Sequence, residues 1–97
     1  MLDFLKDKGI NQWVIDDIIN INYDAMIYNL QMNEMEICKI IDYFREIGIT
    51  VVDEILINAS GVFLNNLKYV KLQFEKENIV ELVKEINYNY MYILEIL

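Results

Sequence analysis

Between residues 33 and 47 the chain reads NEMEICKIIDYFREI, and Ile37, Ile40, Ile41, Phe44 and Ile47 recur at steps of three and four. That spacing predicts an amphipathic helix with one buried face. Gly48 follows where a left-handed C-terminal cap would stand. A second long helix is predicted over 65–77, with Leu67, Val70 and Phe74 inward and Tyr69 and Leu72 widening the stripe. Shorter helices are predicted around Val14, Ile15, Ile18 and Ile19, around Val51, Val52, Ile55 and Leu56, and around Val80, Leu82, Val83 and Ile86. Each is followed by a further short apolar segment: YDAMIYNL, SGVFLNN and NYMYILEIL. The stretch ITVVDEILI has the Ile and Val content of a strand. Asp53 and Glu54 sit together between apolar pairs, however, which breaks strict alternation and suits a helix. Helix starts are predicted from Asn33 with Glu36, Thr50 with Asp53, and Asn78 with Glu81. Asn11, Asp24 and Asn65 are further N-cap candidates.

The same unit recurs along the chain: one longer helix, a joint, a short helix ending in Ile-Asn, then another short helix. The joints Gly9-Ile10, Gly48-Ile49 and Asn78-Ile79 lie 39 and 30 residues apart. A period in the thirties predicts stacked helical units, each too small to cover its own apolar face. With no proline and no linker-like tract, the 97 residues are expected to form one all-α domain. Its expected architecture is short helices stacked as two to three helical repeats. The alternative is a compact irregular helical bundle in which Ile-Asn recurs by composition.

The segments FLKDKGINQWVIDDIIN (4–20) and YFREIGITVVDEILINASGVFL (43–64) resemble the helical-triplet repeats of the mitochondrial transcription termination factor family. The resemblance covers most of the chain and implies a helix, a Gly-apolar turn and two shorter helices per unit. It also implies nucleic-acid binding through basic grooves. The chain departs from the family in two ways. It lacks the proline common between the second and third helices, and it carries Asp16, Asp17, Asp53 and Glu54 in the corresponding segments. The resemblance therefore implies shape and transfers no binding residue.

Charge changes the functional picture more than composition does. There are 16 acids against 8 Lys and Arg, a formal charge of −8. Such a surface repels nucleic acid and anionic membranes. From Gly9 to Cys38 no Lys or Arg occurs beside Asp16, Asp17, Asp24, Glu34 and Glu36. An acidic face including Asp16, Asp17, Asp24, Asp53 and Glu54 is the candidate surface for a basic protein partner. Solubility of a chain that is 56% hydrophobic is the competing explanation of the charge. The segment INYNYMYILEIL leaves few polar positions, so it is expected either to fold back into the core or to pair with another chain. Tyr88, Tyr90, Tyr92 and Leu94 are its candidate contacts, with a homodimer as the expected partner state.

Catalytic chemistry finds little support. The absence of histidine removes the commonest general base and metal nitrogen ligand. Cys38 has no histidine partner, and Ser60-Gly61 lacks any phosphate-loop or nucleophile-elbow context. Asp16-Asp17 and Asp53-Glu54 are adjacent on their helices and diverge by roughly 100°, so neither pair forms a two-carboxylate site by itself. The expectation is a non-catalytic, acidic helical protein-interaction module that needs no cofactor or metal. A nucleic-acid-binding helical repeat and a small acidic inhibitor mimicking nucleic acid are the alternatives. No apolar run reaches ~18 residues, no signal peptide is recognisable at the N-terminus, and a single cysteine excludes an internal disulfide. A cytoplasmic location is expected on those grounds.

Overall fold

A computed structural model describes residues 1–97. The chain is 76% helical with no strand, and of residues 50–57 the first two form an irregular connection and the rest a helix. Six α-helices run in order: α1 (Gln12–Ile21), α2 (Asp24–Met32), α3 (Glu34–Glu46), α4 (Val52–Asn58), α5 (Leu67–Phe74) and α6 (Ile79–Tyr88). Three 3-10 helices join them at Asp3–Lys8, Ser60–Leu64 and Tyr90–Glu95. The elements fall into three triplets. The first is the N-terminal 3-10 helix with α1 and α2. The second is α3, α4 and the central 3-10 helix; the third is α5, α6 and the terminal 3-10 helix. Corresponding members of the first two triplets pack on one another: the N-terminal 3-10 helix on α3, α1 on α4, and α2 on the central 3-10 helix. First members continue the row, with α3 against α5. The third triplet departs from the pattern, because α4 meets the terminal 3-10 helix.

The recurring Gly-Ile joint has a physical cause. Gly48 adopts φ 101 and Gly9 φ 75, a region that favours glycine. At Gly48 the N–H donates to the Arg45 carbonyl (3.1 Å), and the Ile49 N–H donates to that of Phe44 (2.9 Å). Gly9 repeats this on Lys6 (2.9 Å), and Ile10 on Leu5 (3.1 Å). Both are Schellman stops, in which the residue after glycine turns inward, and Ile10 and Ile49 are buried. Asn78-Ile79 works differently. Helix α5 has already ended at Phe74, and the Asn78 side chain starts α6 by accepting from the Glu81 N–H (3.2 Å).

Other predicted caps are corrected. Asn33 does not cap α3 and Glu36 does not complete a box. Instead Asn33 Nδ2 donates to the Phe63 carbonyl (2.7 Å), while Glu36 accepts from the Leu67 N–H (3.2 Å). Both side chains thus tie the start of α3 to the segment entering α5. The Thr50 N–H donates to Asn87 Oδ1 (2.8 Å), and Asn87 Nδ2 donates to the Gly48 carbonyl (3.0 Å). That residue fastens α6 to the second joint. Asn66, one residue beyond the expected Asn65, caps α5 through the Tyr69 N–H (2.8 Å).

One core of 25 buried apolar residues runs through all three triplets. Helix α3 contributes Ile37, Ile40, Ile41 and Phe44 as its periodicity predicts. Phe44 stacks on Phe74 of α5 (5.7 Å, 9°) and meets Phe63 edge-on (5.7 Å, 66°), so one ring couples three elements. Truncating such a ring to alanine costs about 3–5 kcal/mol. Tyr69, Leu72 and Val80 are turned outward, against the sequence expectation. Leu72 lies two residues from both Val70 and Phe74, and Val80 two from Leu82. That step is about 200° on a helix and points away from the buried side.

Ser60 is the one buried polar residue. Its hydroxyl donates to the Leu56 carbonyl and accepts from Asn22 Nδ2 (3.0 Å), linking the first two triplets.

Candidate interaction surfaces

Cys38 is half-buried on α3, and burial pushes its thiol up, with Glu34, Asp42 and Asp7 adding to the rise against Lys8. A thiol held protonated is a poor nucleophile. Lys8 pairs with Asp42 (2.9 Å). That hydrogen bond raises the lysine above its ordinary value. No group of three or more Asp, Glu, Cys or His converges on a point where a metal ion would sit.

Four of the five candidate acids lie on two helices that pack against each other. Asp16 and Asp17 are on α1; Asp53 and Glu54 occupy the first turn of α4. Asp16 is exposed and accepts from Gln12 Nε2 (2.9 Å), whereas Asp17 and Asp53 are half-buried. Burial holds the Asp53 carboxyl above the ordinary aspartate range; the neighbouring Glu54 adds to the rise and Arg45 opposes it. Arg45 itself donates to the Lys8 carbonyl (2.6 Å) at the first joint. Asp24 is separate, in the first turn of α2. None of the five has a cationic partner within 4.0 Å.

The terminal segment folds back on α6 and α4, with Ile93 wholly buried. It is a 3-10 helix, begun by Asn89 accepting from the Met91 N–H (3.1 Å). Tyr90 and Tyr92 are half-buried, and Tyr92 closes a small cleft of about 100 Å³ over Asn78, Glu81 and Glu85. Tyr88 remains 90% exposed and Leu94 49% exposed. The segment therefore buries Ile93, rests Tyr90, Tyr92, Ile96 and Leu97 against the core, and leaves Tyr88, Met91 and Leu94 outside.

The largest concave surface lies elsewhere, on the first triplet. Three adjoining clefts of about 620, 450 and 310 Å³ run between the N-terminal 3-10 helix, α2 and the start of α3. Gln31 lines all three, and its Oε1 accepts the Leu2 N–H (2.7 Å), which holds the N-terminal segment in place. Of the acids singled out from sequence, Asp24, Glu34 and Glu36 line these clefts, and of the candidate partner-binding acids only Asp24 does. Tyr28, Met32 and Met35 were not singled out. The available signal was the spacing Asp24, Tyr28, Met32, one exposed stripe at steps of four along α2.

Comparison of the chain with protein-family models, curated proteins and solved structures gives no match.

Proposed function

We propose that the protein is a non-catalytic helical module that binds another protein through an acidic surface. The observation carrying this reading is the set of carboxylates left without cationic partners on α1, α2 and α4: Asp16, Asp17, Asp24, Asp53 and Glu54. Unpaired surface charge of one sign speeds encounter with a surface of the other sign and disfavours polyanions. The test introduces photo-crosslinking side chains at positions 13 and 58, on α1 and α4 beside the acids, in the native host. The expected result is a discrete basic protein that is captured at low salt. Capture should be lost at high salt and when Asp16 and Glu54 are reversed by Asp16→Lys with Glu54→Lys. Salt-sensitive binding of the purified protein to duplex DNA or RNA would instead establish the nucleic-acid reading. A captured nucleic-acid enzyme whose activity falls on binding would narrow the module to an acidic inhibitor.

A further inference from the structure

We infer that the clefts of the first triplet are a docking groove for a basic amphipathic segment of a partner protein, an inference that rests on the interaction-module reading and gives it a location. Tyr28 and Met32 stand on α2 at 65% and 69% exposure, and Met35 at the start of α3 is 74% exposed. Tyr28 and Met32 fall one helical turn apart on α2, and Met35 follows at the start of α3, so the three form a ridge beside the clefts. Unbranched methionine adapts to differently shaped apolar partners.

Charge selects the occupant. The cleft walls contribute five carboxylates, Asp3, Asp7, Asp24, Glu34 and Glu36, and no lysine or arginine. Asp7, Asp24 and Glu34 have no cation within 4.0 Å. Of the nearby cations, Lys6 (3.8 Å) and the N-terminal ammonium of Met1 (3.7 Å) pair with Asp3, and Lys8 is engaged by Asp42 (2.9 Å), which leaves those three carboxylates uncompensated. Exposed apolar side chains interleaved with uncompensated carboxylates match a segment that places apolar anchors on one face and Lys or Arg at its flanks. An acidic segment, or a second copy of this acidic end, would meet like charge.

The probe is a synthetic peptide of leucine and lysine, about four helical turns long, with leucines at helical spacing. Two controls accompany it: the same peptide with glutamate for lysine, and a lysine peptide with its leucines dispersed around the helix. Binding is read from the ε-methyl NMR signals of the five methionines and the Trp13 indole N–H. The groove predicts shifts at Met1, Met32 and Met35, with Met91 in the last triplet and Trp13 on α1 unmoved. Glu34→Lys with Met35→Ser should weaken binding at least about tenfold at unchanged circular dichroism, while Glu95→Lys should not. Equal affinity for the dispersed peptide, or shifts confined to Trp13, would overturn the groove and leave the broader acidic-module reading intact. Absence of binding by either lysine peptide would overturn the groove as well; the crosslinking experiment on α1 and α4 then decides the broader reading separately.

Discussion

Asp53 carries a charge that its position on α4 disfavours. Burial raises its carboxyl, Glu54 raises it further, and Arg45 only partly opposes them. Its folded-state proton affinity therefore exceeds the unfolded one, so the native state holds more protons over the interval between the two. Stability from this group is fully present below the unfolded pKa and is lost as pH rises through the folded one. Asp53→Asn should flatten that part of the stability profile, which begins near the ordinary aspartate value of 3.8, as read by urea denaturation at a series of pH values. An unchanged slope would mean that the carboxylate is solvated in both states. The sequence marks Asp53 as acidic and adjacent to Glu54; it does not reveal the half-burial that shifts it. Asn33 and Glu36 teach the same lesson. Their spacing is that of a capping box, yet each finds a partner some thirty residues away. Local spacing reports which bonds a side chain can make nearby, and tertiary proximity decides which it does make.

The Gly-Ile joints are the elements whose identity was most legible. Only glycine adopts their left-handed turn without strain, and the isoleucine that follows must be apolar because the Schellman bond turns it inward. Gly48→Ala should cost about 1 kcal/mol, since the added methyl meets nothing nearer than Val83 Cγ1 at 3.6 Å and the cost is that of the backbone. Gly61→Ala is the control, because it has open space and no positive φ. Equal thermal shifts for the two variants would contradict a stop built on φ 101 at Gly48. Helix periods were read well where an element is long, as in α3. They were read too generously in α5 and α6, where Leu72 and Val80 point outward. A short helix buries two or three residues, so extra apolar positions no longer mark its inner face. The 3-10 form of the terminal segment was not legible at all. An all-round apolar run specifies burial without specifying the turn that achieves it.

Across the whole molecule the terminal segment raises the question of self-association. It folds back, as one of the two sequence expectations had it, but Tyr88 and Leu94 stay on the surface. The proposal of a homodimer through this surface is tested by sedimentation of the wild type and of Tyr92→Lys with Leu94→Lys. A dimer that the double variant reduces to monomer supports it, and monomers in both cases refute it. No helix is long and apolar enough to cross a membrane. The candidate surfaces were legible only as ingredients. Asp16, Asp17, Asp53 and Glu54 belong to two segments separated in sequence, and only packing of α1 on α4 brings those two helices together. The methionine-rich groove depends on Leu2 and Gln31 bringing the N-terminal 3-10 helix against α2. By itself the amino-acid order determined the helical class, the triplet rhythm, the glycine stops and the sign of the surface, because each depends on neighbours within one or two turns. Only the tertiary structure decided which triplets share contacts, which apolar residues stay in water and where concave surface forms. Those outcomes come from apolar faces competing for each other across the chain, and that competition has no local signature.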